Sequence, residues 1–68
     1  MNYFSENLLY YRKYRNMTQS DLASKLYVKR QTVSNYEQNT RVCDLDMLVL
    51  ISDVLRVPLD DLVKYPHP

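Results

Sequence analysis

Arg30, Gln31, Thr32, Ser34 and Asn35 lie interleaved with the apolar residues Val33 and Tyr36. At helical spacing the two apolar residues turn one way, and the polar group turns outward. These side chains carry the hydrogen-bonding groups that match the edges of nucleic-acid bases. Arg pairs with guanine, and Gln or Asn pairs with adenine, each through two parallel bonds. Lys29 stands just before them, and no acid interrupts the face before Glu37. A solvated polar surface is the plainer reading of the same residues. The missing carboxylates favour an anionic partner.

Other chemistries find little support. His67 sits between prolines near the end of the chain, where a solvated tail residue is expected. Cys43 is the single cysteine and lies in a loop. It cannot form an internal disulfide, and a loop or buried thiol is its ordinary state. The chain contains no glycine, so no Gly-rich phosphate loop is possible. No His, Cys or acid cluster has the spacing of a metal site. The expectation is a protein that is not an enzyme, with no metal, cofactor or small-molecule ligand.

The polar face needs a scaffold, and 68 residues suffice for one domain, here 1–68, with 66–68 as a short tail. Helices suit so small a chain, and without glycine tight hairpins lack their favoured residue. The periodicity predicts an all-α fold, a compact bundle of helices at about 5–15, 18–26, 30–38, 45–55 and 59–64. Ser5 is the expected cap of the first helix, with Phe4, Leu8 and Tyr11 as its buried stripe. Tyr10 and Tyr14 form an outward pair. Thr18 caps the second helix, with Asp21 three residues on as a weaker capping box, and Leu22, Ala23 and Leu26 give it an apolar face. Asp44 caps the fourth, whose core stripe is Leu45, Leu48, Ile51 and Leu55. Met47, Leu50 and Val54 form a second stripe on another face. Pro58 starts the last helix, with Leu59, Leu62 and Val63 apolar.

The net charge of +1 hides a split. Residues 1–41 hold seven Lys and Arg against three Asp and Glu, and residues 42–68 hold two against five. The basic half contains the polar face, which suits a phosphate surface. The acidic half should point away from it.

The stretch TQSDLASKLYVKRQTVSNYE, residues 18–37, resembles the helix-turn-helix of the lambda repressor and Cro family, also called XRE-like. Thr18-Gln19, Leu22-Ala23, Val28, Thr32-Val33 and Tyr36-Glu37 carry the likeness. Leu8, Tyr11 and Arg12 extend it upstream, and Leu45, Leu48, Ile51, Leu55 and 57–62 extend it downstream. The resemblance implies a five-helix DNA-binding module. It makes 30–38 the recognition helix, with Lys29, Arg30, Gln31, Ser34 and Asn35 on bases. Arg12, Thr18, Gln19, Lys25, Thr32 and Arg41 fall at phosphate contacts. Glu37 is expected to turn inward and pair with Arg12. Several positions depart from the family pattern, among them Asn16, where the family often has Gly. Tyr27 occupies a turn position that commonly holds Gly in a left-handed backbone, at a cost of about 1–2 kcal/mol. Lys29 replaces a Ser or Thr cap, and Cys43 replaces a Pro. Asn39, where the family often has Gly, tolerates the left-handed backbone.

The function implied is sequence-specific binding to double-stranded DNA by a small transcriptional regulator, a repressor at a palindromic operator. Such a reading favours a homodimer, for which Met47, Leu50, Val54 and Tyr65 offer a surface. An antitoxin-type interaction protein, binding a toxin as well as DNA, is the alternative. RNA binding would need more exposed aromatics than Tyr10, Tyr14 and Tyr65. The apolar run 47–51 is far too short to span a membrane, the N-terminus carries no signal pattern, and a cytoplasmic location is expected.

Overall fold

The computed structural model describes residues 3–68. Five helices follow one another: α1 (Phe4–Tyr14), α2 (Gln19–Leu26), α3 (Arg30–Glu37), α4 (Leu45–Leu55) and α5 (Leu59–Val63). Among the described residues there is no strand. The core gathers Phe4 and Leu8 from α1, Leu22, Ala23 and Leu26 from α2, Val33 and Tyr36 from α3, and Ile51, Leu55, Val57 and Leu62 beyond. Phe4 meets Tyr36 edge-on at 6.1 Å. Helix α3 packs on α1 and α2, so two helices hold its inner side and leave its outer side open.

Local chemistry explains the helix boundaries. The Thr18 hydroxyl accepts from the Asp21 N–H at 3.0 Å, and the Asp21 carboxylate accepts from the Thr18 N–H at 3.0 Å. This reciprocal pair is a full capping box and satisfies two donors at the start of α2. It also holds the Asp21 carboxyl below its usual pKa, chiefly through the Thr18 backbone bond. Asp44 caps α4 by accepting from the Met47 N–H at 2.9 Å. Helix α3 begins at Lys29 with no side-chain cap. A missing Ser or Thr cap there costs about 1 kcal/mol.

With no glycine in the chain, other residues make the left-handed turns. Asn16, Tyr27, Asn39 and Arg56 all have φ between 57° and 59°. Asn is at ease in this region, whereas Tyr27 and Arg56 bear the Cβ penalty. At these last two the chain leaves α2 and α4.

Four expectations are corrected. Ser5 does not cap α1: the helix starts one residue earlier because Phe4 is drawn into the core, and the N-cap Tyr3 makes no side-chain bond. Leu45 is not a core residue and is 69% exposed. At 3.6 residues per turn it points about 120° away from the buried Ile51. Met47, Leu50 and Val54 are not a free stripe; each is half-buried against the core of its own chain. Nor is His67 simply solvated: its ring stacks on Tyr10 at 4.5 Å and 7°, continuing the Tyr10–Tyr14 stack.

Sequence reading also passed over Asn7, which is fully buried. Its Nδ2 donates to the carbonyls of Asp61 and Leu62, both at 3.0 Å, and of Tyr65 at 2.6 Å. These carbonyls lie at the end of α5, where a helix has no partners of its own. Asn7 thereby clasps α5 to α1.

Candidate nucleic-acid interface

The interface begins with a buried ion pair. Arg12 is 7% exposed although charged. Its Nε meets Glu37 Oε2 at 2.6 Å, its Nη2 meets Oε1 at 3.2 Å, and its Nη1 donates to the Met17 carbonyl at 2.8 Å. The two-pronged geometry matches the guanidinium fork to the carboxylate. It joins the end of α1, the approach to α2 and the end of α3. Through this pair, Glu37 is turned inward and neutralised.

The network continues outward. Gln19 Nε2 donates to Glu37 Oε1 at 2.9 Å, and Arg30 Nη1 donates to Gln19 Oε1 at 3.0 Å. A single line of hydrogen bonds thus runs Arg12–Glu37–Gln19–Arg30, from the interior to an exposed guanidinium. Glu37 takes the amide's donor side, so the Gln19 oxygen faces Arg30. Sequence reading placed Gln19 at the front of α2 but missed this linking role. The three groups meet only when α2 and α3 pack, and no local spacing signals that.

On the outer face of α3, Lys29, Arg30 and Gln31 are exposed, and Thr32 and Asn35 are half-buried. Gln31 Nε2 donates to Asn35 Oδ1 at 3.0 Å, one helical turn on. The two amides support each other and still leave groups for a ligand. Ser34 departs from the expected outward face. It is 7% exposed, and its hydroxyl accepts from Gln38 Nε2 at 3.3 Å. Arg12 draws Glu37 inward, and Ser34 lies only about 60° from Glu37 around the helix.

The remaining cations spread out. Arg41 is exposed in the loop after α3. Lys25 borders a surface groove with Arg15, Met17, Tyr27, Asp53, Val54 and Arg56, to which α3 contributes nothing. Arg15 there donates to the Leu55 carbonyl at 2.8 Å and the Arg56 carbonyl at 3.3 Å, closing the end of α4. The groove gathers the C-terminal ends of α1, α2 and α4, whose dipoles its cations offset.

Burial pushes the Cys43 thiol above its usual pKa. It is held as the neutral thiol, the opposite of an activated nucleophile. Among the described residues, no group of three or more His, Cys, Asp or Glu could hold a metal ion. No described helix is long and apolar enough to cross a membrane.

A buried Arg–Glu brace, a capped α2, a left-handed turn and an uncapped polar α3 together define a helix-turn-helix. A sequence model described as Helix-turn-helix matches residues 8–62. The chain belongs to the lambda repressor/Cro-type (XRE-like) helix-turn-helix DNA-binding family. It is 43% identical over 61 residues to the HTH-type transcriptional regulator YqaE of Bacillus subtilis, covering 90% of this chain and 53% of that protein. It is 35% identical over 61 residues to the HTH-type transcriptional activator BcrR of Enterococcus faecalis, covering 90% and 30%. With the HTH-type transcriptional regulator MJ0272 of Methanocaldococcus jannaschii it shares 38% over 58 residues, covering 85% and 88%. The chain thus spans about half of YqaE and under a third of BcrR. A crystal structure of a transcriptional regulator from Listeria innocua superposes with a TM-score of 0.87 at 25% identity, over 100% of this chain and 64% of that one.

Proposed function

We propose that the chain represses transcription by binding a palindromic operator as a homodimer in the cytoplasm, with α3 in the major groove. The observation that carries this reading is the hydrogen-bond line from Arg12 through Glu37 and Gln19 to Arg30. It removes the acid from the recognition face and orients one guanidinium on that face.

Arg30 and Lys29 read guanine, while Gln31 and Asn35 read adenine. Ser34 is too enclosed to join them. Phosphates are gripped by Gln19, Thr18, Thr32, Lys25 and Arg41, and they supply affinity without sequence preference. Arg12 acts from beneath as the brace. Repression needs nothing beyond operator occupancy. A homodimer doubles a readout that is too short, as a single module, to single out one genomic site.

The test is selection of bound duplexes from a random pool by the wild type and by Gln31→Ala and Arg30→Ala. The wild type should enrich a palindrome with half-sites about one helical turn apart. Each variant should relax one symmetric position, by roughly 1–3 kcal/mol of discrimination. Lys25→Ala should weaken all duplexes alike and flatten the salt dependence. An unchanged motif from Gln31→Ala and Arg30→Ala would overturn the assignment of α3. Transcription from a promoter carrying the selected site should fall when the protein is added; a rise would overturn repression.

A further inference from the structure

Of the four described residues with left-handed backbone, Asn16 and Asn39 suit it. Arg56 bears the Cβ penalty with its carbonyl held by Arg15 at 3.3 Å. Tyr27, at φ 59°, bears the same penalty in the turn before α3. That turn is complete without the tyrosine side chain. The Tyr27 N–H donates to the Ser24 carbonyl at 3.3 Å, and the Val28 N–H donates to the Ala23 carbonyl at 3.0 Å. These are the two bonds that close a helix ending in this conformation. Glycine or asparagine would make them at less cost.

The ring adds nothing to the packing. Tyr27 is 90% exposed, the highest value among the large apolar and aromatic side chains described. Tyr14 and Tyr65 are exposed too, yet Tyr14 stacks on Tyr10 under Arg15, and Lys64 lies over Tyr65. Among the described residues, Tyr27 has no ring partner and no side-chain hydrogen bond. A backbone cost that no contact within the molecule offsets points to a function outside it. The position identifies the partner. Lys25, Tyr27 and Lys29 are exposed and alternate with the buried Leu26 and the half-buried Val28. The chain therefore carries these three side chains outward together as it enters α3. Arg30 follows at the exposed start of that helix. The groove that Tyr27 borders adds Arg15 and Arg56, against the single acid Asp53. Tyr27 is thus a neutral donor set among cations. A phenol hydroxyl there binds a phosphate oxygen without adding charge.

We propose that the Tyr27 hydroxyl binds a backbone phosphate of DNA beside the start of α3, between Lys25 on one side and Lys29 and Arg30 on the other. The inference rests on the DNA-binding reading above and adds a contact to it. The left-handed turn keeps the ring out of the chain's own packing, where the duplex reaches it. The tyrosine weakens the free protein slightly and strengthens the complex.

The experiment uses the duplex that the wild type enriches from a random pool and a scrambled duplex of equal length. Dissociation constants come from fluorescence anisotropy at several salt concentrations, for wild type, Tyr27→Phe, Tyr27→Asn and Tyr27→Gly. Circular dichroism gives the melting temperature of each. Tyr27→Phe keeps the ring and removes only the hydroxyl, so its melting temperature should hold while both duplexes bind roughly tenfold more weakly. The slope of affinity against salt should stay the same, since no charge is lost. Tyr27→Asn and Tyr27→Gly should bind at least as weakly, and Tyr27→Gly should melt higher, by about 4 °C. A more stable protein that holds DNA less tightly separates a contact residue from a structural one. Tyr27→Phe binding both duplexes as the wild type does overturns the phosphate contact. Weakening on the enriched duplex alone makes Tyr27 a base contact and overturns it too. A lower melting temperature for Tyr27→Gly shows the tyrosine serving the fold and overturns the inference. Each of these outcomes leaves DNA binding through α3 standing. A wild type that binds neither duplex overturns that reading and this contact together.

Discussion

Asn7 and Arg12 lie on the same helix, both buried and both polar, and tie it to different partners. Asn7 binds only backbone, the carbonyls that end α5. Arg12 binds a side chain on α3 and a carbonyl before α2. The Asn7 clasp ends inside the molecule. The Arg12 pair continues through Gln19 to Arg30 at the surface. A buried polar group that needs only satisfying can stop at the backbone. One whose network reaches the surface can also transmit position. The difference separates a structural half, α1 with α5, from the half that carries the proposed reading face, α1 with α2 and α3.

The largest effect should come from the reading half. The side chains of Arg12 and Glu37 are 9% and 5% exposed, so removing either strands its partner's charge. Glu37→Ala should destabilise the fold by about 3–5 kcal/mol. For so small a domain that is a large share of the total stability. Denaturant melts of Arg12→Ala, Glu37→Ala and the double variant give the coupling, and a value near zero would refute the brace. A paired replacement sharpens the comparison. Arg12→Met with Glu37→Leu removes both charges and can retain stability. It also deprives Gln19 of its acceptor, so the protein should fold yet read its operator less selectively.

Asn7→Ala should cost less, about 1–3 kcal/mol, by leaving the α5 carbonyls without their donor. Urea melts measure the loss. Duplex selection under folding conditions should return the wild-type motif, because nothing links Asn7 to α3. Were the motif to shift as far as it does for Arg30→Ala, the division into two halves would fail.

Sequence reading found what short spacing encodes. Thr18 with Asp21 and Asp44 with the Met47 N–H are three-residue contacts between residue types suited to them. The family resemblance puts Tyr27 at a position where a left-handed Gly is common but leaves the conformation of a Tyr there open; its φ is 59°. Arg56 adopts the same conformation with no cue of its own, since only Pro58 showed that the helix had to stop. The errors on α4 came from misplacing its buried side: Leu45, read as core, is exposed, and Met47, Leu50 and Val54, read as a separate face, pack against the core. Leu45 satisfies the spacing but sits in the first turn, away from Ile51. Ser34 went wrong through its neighbour: a charged Glu37 pulled inward rotates the buried sector onto it. Asn7 and the linking role of Gln19 escaped notice because their partners lie 54 and 18 residues away. An Asn or a Gln in an amphipathic helix gives no sign of which carbonyl or carboxylate it will meet.

Gln19 is where the comparison can be cut most finely. It is half-buried, and its two bonds lie near the surface. Gln19→Ala should therefore cost only about 0.5–1.5 kcal/mol of stability. Two roles for Gln19 then make different predictions for DNA. If it only touches a phosphate, its loss weakens every duplex equally. If it holds Arg30 in place, its loss relaxes one symmetric guanine position and leaves the others intact. The side chain is uncharged, so the slope of affinity against salt should stay unchanged in either case. Selection with Gln19→Ala decides between them. The bond from Arg30 to the Gln19 oxygen favours relaxation at the same position that Arg30→Ala affects, with a smaller effect. In the double variant the two effects should not add, because without Arg30 the Gln19 oxygen has nothing left to position. Full additivity at that position would show that Gln19 and Arg30 act separately on DNA.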